Sequence, residues 1–250
     1  MVIGMYHEDA LMGDRASRAF VRGVMIDWPQ ISTDSYLRRI PALASLEELR
    51  FEPPVTMFCG ENGTGKSTLL EAIAVAYGFN PEGGTLNYRF STYDDVSQLG
   101  SALTVVRDRA RTKSSYFLRA ESFFNVATKA IEYNAHYGNR DLHEQSHGES
   151  FLSFFNAFDG AGLYLMDEPE AALSPQRQLA LLVKIHELAA KGAQFIIVTH
   201  SPILLGLPGA RILEFGEDGL RPCDWEDTDS YRVTELFVNR RETLLHRLFE

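Results

Sequence analysis

The stretch V-T-M-F-C-G-E-N-G-T-G-K-S-T-L-L-E-A-I-A-V-A-Y, Val55 to Tyr77, decides the reading of the whole chain. Val55 to Cys59 is a short apolar run suited to a buried strand. Ser67 to Tyr77 then sets Leu69, Leu70, Ile73, Ala74 and Tyr77 at helical spacing, uninterrupted by glycine or proline. Between them, Gly60-Glu61-Asn62-Gly63-Thr64-Gly65-Lys66-Ser67, followed by Thr68, satisfies G-x-x-x-x-G-K-[ST] at every fixed position. The glycines let the backbone curl until several N–H groups face one concavity, and the helix after them points its positive end at the same place. Such a concavity holds a polyphosphate. Lys66 adds a point charge for the β and γ phosphates, and the Ser67 hydroxyl is a ligand for Mg²⁺. From average residue frequencies, a chance match somewhere in 250 positions is about one in a hundred.

Two later apolar runs end in polar residues of matching chemistry. Gly162-Leu163-Tyr164-Leu165-Met166 runs into Asp167-Glu168, and Phe195-Ile196-Ile197-Val198-Thr199 runs into His200. Near-continuous apolar strands are what a parallel sheet covered on both faces requires. Ligands of such sheets sit beyond the carboxyl ends of the strands, so residues 60 to 67, Asp167, Glu168 and His200 are expected on one rim. Mg²⁺ prefers hard oxygens and keeps most of its waters, so Asp167 beside Ser67 suffices as a protein ligand. Glu168 is then expected to orient or deprotonate the water that attacks the γ-phosphorus, and His200 to hydrogen-bond the γ-phosphate.

The rest of the chain narrows the class. With 45% hydrophobic residues in 250, it can bury a sizeable core. No run of 18 apolar residues and no leader-like N-terminus is present, so no membrane insertion and a cytoplasmic location are expected. Cys59 and Cys223 form no metal or redox motif. A net charge of −10 argues against a broad footprint on nucleic acid. Arg107, Arg109, Arg111 and Lys113 form a local basic patch, read as a solvated face.

Phe20 to Trp28 reads as a first strand and Tyr36 to Arg50 as a short helix, whose Tyr36, Arg38 and Arg39 are either surface residues or a stacking surface for adenine. Alternation at Leu86, Tyr88 and Phe90 suggests a strand or hairpin. Ala210 to Phe215 reads as an edge strand. A last helix from near Asp229 carries Val233, Leu236, Phe237, Leu244, Leu245 and Leu248, expected to pack on the core.

In this order the motifs resemble the ATP-binding-cassette (ABC) ATPases, especially the soluble heads of chromosome-maintenance and double-strand-break-repair proteins and a group of compact bacterial AAA-type ATPases. Residues 60 to 68 match Walker A and L-Y-L-M-D-E-P-E at 163 to 170 matches Walker B. A-A-L-S-P at 171 to 175 is similar to the D-loop, and T-H-S-P at 199 to 202 to the switch-histidine segment. Q-S-H-G-E-S at 145 to 150 resembles a divergent signature motif, with Ser146 and Gly148 facing the nucleotide of the other subunit. The resemblance implies an α/β P-loop NTPase fold, a mostly parallel sheet flanked by helices. It also implies one domain over 1–250, with a core lobe at about 20–95 and 160–250 and an inserted, mainly helical lobe at about 96–159. ATP, Mg²⁺ and an ATP-dependent homodimer that drives an effector protein or nucleic acid follow from it. An energy-coupling subunit of a membrane transporter, a nucleotide-gated scaffold and a small-molecule kinase are the alternatives.

Overall fold

The computed structural model describes residues 19–52, 54–86, 98–107, 114–119 and 160–250. In chain order its elements are β1 (Gly23–Ile26), α1 (Pro41–Ala44), β2 (Glu48–Arg50), β3 (Val55–Gly60), α2 (Lys66–Tyr77), β4 (Gly84–Thr85), α3 (Gln98–Ala102), β5 (Leu103–Val106) and β6 (Tyr116–Arg119). After these come β7 (Leu163–Asp167), α4 (Pro175–Ala190), β8 (Gln194–Val198), α5 (Pro202–Leu205), β9 (Arg211–Gly216), β10 (Gly219–Pro222) and α6 (Asp229–Phe249). Seven strands form one sheet in the order β10-β9-β3-β8-β7-β6-β4. Its five central strands are mutually parallel, and only the edge strands β10 and β4 run antiparallel to their neighbours.

The period-two geometry of strands explains why the apolar runs are continuous. Phe58, Leu165, Ile196, Val198 and Leu213 pack on one face with Leu69, Leu70 and Ile73 of α2. Their neighbours Met57, Cys59, Tyr164, Met166, Phe195 and Ile197 pack on the other with Leu181, Ile185 and Leu188 of α4. Each such fully buried aliphatic or aromatic side chain contributes about 1.5–3 kcal/mol, so both layers hold the central strands between them.

A second, three-stranded antiparallel sheet, β2-β1-β5, stands over the α2 face. Gln194 at the start of β8 ties the two sheets together: the Val21 N–H donates to its Oε1 at 2.8 Å, and its Nε2 donates to the Val21 carbonyl at 2.6 Å. Gly78 (φ 115°) closes α2 in the left-handed conformation, its N–H donating to Ala74 and Val75 carbonyls.

Several expectations change. Tyr36 to Arg50 is not one helix: a 3₁₀ turn at Tyr36–Arg39 and the single turn α1 precede β2, because Pro41 restricts Ile40 to an extended conformation and breaks the run. β9 is not an edge strand, since β10 folds back on it and takes the edge. The final helix spans Asp229–Phe249, yet no residue of it is buried by the described residues, so its apolar stripe does not pack on this core. Residues 98–106 and 116–119, placed by sequence in the inserted lobe, form the short helix α3, β5 of the three-stranded sheet and β6 of the seven-stranded sheet. Residues 120–159, with Ser146, Gly148 and most of the expected lobe, lie outside the described residues, as do Tyr88, Phe90, Arg109, Arg111 and Lys113.

Candidate active site

β3, β8 and β7 lie side by side and point the same way, so their carboxyl ends open onto one rim. The loop from Gly60 to Gly65 leaves β3 there. Gly60 (φ 125°) lies against the neighbouring strand, where a Cβ would stand 2.3 Å from the Phe215 carbonyl oxygen. Gly65 (φ 96°) is the N-cap of α2, with Ile40 and Leu43 of the adjacent turn so close that a Cβ would meet them at 2.9 and 3.0 Å. A glycine cap has no side chain to accept the first-turn N–H groups of this 12-residue helix, which remain donors for an anion.

Lys66 is buried, and its Nζ donates to the carbonyls of Gly60 at 2.8 Å and Glu61 at 2.7 Å, using two of the three ammonium hydrogens. Burial pushes this ammonium below the ordinary lysine value, and the carboxylates of Glu168, Asp167 and Glu61 oppose that shift. Thr64 closes the loop by donating its hydroxyl to the Glu61 carbonyl at 2.8 Å. Asn62 and Gly63 are exposed at the tip, and Thr68 follows in the first turn of α2.

Ser67 donates its hydroxyl to Asp167 Oδ1 at 2.8 Å, joining α2 to the end of β7. The next residue, Glu168, has φ 49° and ψ 53°, the only positive φ outside glycine among the described residues. Its N–H donates to the Val198 carbonyl at 3.0 Å, which holds the turn. A left-handed non-glycine residue is strained by about 1–3 kcal/mol and persists where the surroundings enforce it. The turn leaves the Glu168 side chain 45% exposed, with Oε1 3.7 Å from His200 Nε2.

His200 follows β8. Its backbone N–H donates to Glu170 Oε1 at 2.5 Å, and the next residue, Ser201, donates its hydroxyl to Gln178 Oε1 at 2.6 Å. Neither Glu170 nor Gln178 stands out in the sequence; the third acid of D-E-P-E, Glu170 itself, was the one available signal. Arg119, at the end of β6 in register with Asp167, is paired with Glu71 of α2 at 2.8 Å and also donates to the Pro81 carbonyl at 3.1 Å. Arg38 is committed elsewhere: its guanidinium lies 5.2 Å from the Trp28 ring centroid and donates to the carbonyls of Trp28, Ile31 and Ser32. Tyr36 and Arg39 are exposed.

The rim therefore gathers a backbone anion cradle, a buried ammonium, a hydroxyl–carboxylate pair of hard oxygens, and a carboxylate facing an imidazole. That set can bind a polyphosphate and activate a water beside it. No group of three or more His, Cys, Asp or Glu among the described residues forms a protein-only metal cage, and no described helix is long and apolar enough to cross a membrane.

Comparison with known proteins finds ATP-binding relatives. A family model described as "AAA domain" matches residues 38–136, and one described as "AAA domain, putative AbiEii toxin, Type IV TA system" matches residues 134–206. The "Ribose import ATP-binding protein RbsA" of Roseobacter denitrificans is 26% identical over 201 residues, 70% of this chain and 39% of that protein. The chain thus spans about two fifths of that relative's length. The "Hemin import ATP-binding protein HmuV" of Aliivibrio fischeri is 24% identical over 247 residues, 86% of this chain and 93% of its own. Among solved structures, the SMC head domain from Thermotoga maritima aligns with a TM-score of 0.48 and 14% identity, over 82% of this chain and 100% of that one. MJ1267 in its ADP conformation, an ATP-binding cassette of an ABC transporter, aligns with a TM-score of 0.39 and 15% identity, over 81% and 92%. Neither TM-score reaches 0.5, so the likeness rests on the residues and the sequence matches. Those matches fall on the segments that build the rim, and in them the chain is similar to ABC-type P-loop ATPases.

Proposed function

We propose that the chain binds Mg-ATP, closes as a head-to-tail homodimer around two nucleotides, and hydrolyses ATP to switch a partner protein or a nucleic-acid-associated process. The observation that carries the proposal is the junction of Ser67 and Asp167 at 2.8 Å, immediately followed by Glu168 turned out beside His200. Ser67 and Asp167 suit Mg²⁺, which takes one or two protein oxygens and fills its shell with water and phosphate. The metal, when bound, neutralises charge on the phosphates. Gly60 to Thr68 hold the triphosphate through loop N–H groups, the helix end and Lys66.

Glu168 accepts a proton from the attacking water as its oxygen bonds to the γ-phosphorus. The bond from that phosphorus to the β–γ bridging oxygen breaks, giving ADP and phosphate. His200 donates a hydrogen bond to the γ-phosphate and holds it in line. Ser146 and Gly148 contribute the contact across the dimer.

Glu168→Gln tests the assignment. It should retain ATP binding, lower kcat by about 10²-fold or more, and accumulate closed dimers in size-exclusion chromatography with ATP. Turnover at the parent rate removes Glu168 from this role. A second reading, the ATP-binding subunit of an importer, draws on the match to 93% of the hemin import relative; stable co-purification with a membrane permease would favour it.

A further inference from the structure

His200 reaches Glu168 from a short loop with little regular structure of its own. Thr199 donates its N–H to the Phe58 carbonyl at 3.1 Å, fixing the end of β8 to β3. Beyond that point the anchorage changes hands. The His200 N–H goes to Glu170 Oε1 at 2.5 Å, and the Ser201 hydroxyl goes to Gln178 Oε1 at 2.6 Å. Gln178 Nε2 in turn donates to the Leu173 carbonyl at 3.0 Å. The segment that follows the hydrolytic acids therefore grips the histidine loop at two consecutive residues.

Glu170 is an odd choice for a fastener. One oxygen takes the amide, while Oε2 is buried and makes no hydrogen bond among the described residues. A half-satisfied carboxylate is an expensive way to hold one N–H, which a neutral acceptor would hold as well. What the longer acid supplies is reach, from a turn that starts at the strained Glu168 back to the neighbouring strand end.

We propose that Glu170 is a positioning residue for ATP hydrolysis: its side chain sets the backbone of His200, and through it the placement of the imidazole beside Glu168. The inference rests on the hydrolytic role given to His200 above. In this role Glu170 acts through His200 rather than on the phosphate or the attacking water. Removing it leaves the phosphate loop, Lys66 and the Ser67–Asp167 junction intact, so ATP affinity stays while the chemical step slows.

Steady-state and single-turnover hydrolysis test this with Glu170→Ala, Glu170→Asp, Glu170→Gln and His200→Ala. Displacing a catalytic group by about 1 Å can lower a rate by about 10²-fold, so Glu170→Ala should lower kcat by about 10–100-fold with the ATP dissociation constant within about twofold. Glu170→Gln keeps length and an acceptor oxygen and should stay within about fivefold of the parent, whereas Glu170→Asp keeps the charge but loses reach and should resemble Ala. In the His200→Ala background, Glu170→Ala should add less than about twofold, because the two act as one unit.

Additive losses, or an active Asp variant beside an inactive Gln variant, overturn the inference and leave the hydrolytic assignment standing. Parent turnover in His200→Ala overturns both. Should Glu170→Ala not fold, the opposed responses of the Asp and Gln variants decide the matter alone.

Discussion

The three glycines of the phosphate loop invite a graded test, because a methyl group at each would meet a different obstacle. At Gly63 (φ 80°) nothing lies within 4 Å of the added Cβ. Gly63→Ala therefore carries only left-handed strain, about 1–2 kcal/mol. At Gly65 the obstacles are the side-chain ends of Ile40 and Leu43 at 2.9–3.0 Å, which can yield by rotating. At Gly60 the obstacle is the Phe215 carbonyl oxygen at 2.3 Å, part of the backbone of a paired strand, and the φ of 125° is less tolerant still. Strain of about 1–3 kcal/mol plus forced displacement of about 1–3 kcal/mol puts Gly60→Ala at about 2–6 kcal/mol.

Stability should thus fall in the order Gly63, Gly65, Gly60. For a chain of this size, about 2–4 °C per kcal/mol separates the outer two, which differ by about 1–4 kcal/mol, by about 2–16 °C in thermal unfolding. ATP affinity should fall most for Gly60→Ala, since the shift also moves a carbonyl that holds Lys66 Nζ. Equal melting temperatures for Gly60→Ala and Gly63→Ala would refute the close approach of β3 and β9 at that residue.

Further outcomes follow from the same geometry. Burial holds Lys66 below the 10.5 of a free lysine, and phosphate attracts the protonated form, so ATP affinity should be full below that lowered value and decline as pH rises through it. Between the lowered value and 10.5 the unfolded chain holds a proton the folded chain has lost, so this group's contribution to folding stability rises with pH; calorimetric titration of ATP across about pH 7–10.5 checks the decline, and a flat profile contradicts it. Ser67→Ala removes one hard oxygen and should abolish the gain in ATP affinity on adding Mg²⁺ while leaving metal-free binding within about twofold, measured by fluorescent-nucleotide titration. Arg119→Ala breaks a half-buried pair and leaves Glu71 without it, lowering stability by about 1–2 kcal/mol; restoration by removing Glu71 as well, in a double-mutant cycle, separates pairing from packing.

The central sheet and its rim were legible because their signals are local and strong. β3, β7 and β8 are each buried on both faces, so apart from Thr56, Asp167 and Gln194 their residues are apolar or glycine and the strands are unmistakable, and the glycine-lysine turn has one chemical purpose. The three-stranded sheet was not legible. Glu48–Arg50 is short and alternates charge with a single leucine, and only its pairing with Met25 and Val24 makes it a strand. β9 looked like an edge because apolar content does not reveal that β10 returns beside it. The stripe on α6 has the same periodicity as a packed helix, and periodicity cannot say whether a partner surface exists. Glu170 and Gln178 were invisible because their partners, His200 and Ser201, come close only once the two strand ends are neighbours.

The strand that launches the phosphate loop has a consequence for how the molecule is made. Both flanks of β3 are occupied by segments from the final quarter of the chain, Gln194–Val198 and Arg211–Gly216. A nascent chain that has emerged only through Tyr77 carries the whole nucleotide signature yet has nothing for β3 to pair with, and closing so large a loop is slow. Acquisition of nucleotide affinity during synthesis or refolding would therefore time the arrival of the C-terminal strands, and a truncation before residue 194 would lose that affinity although it retains the phosphate loop, Lys66, Ser67 and Asp167.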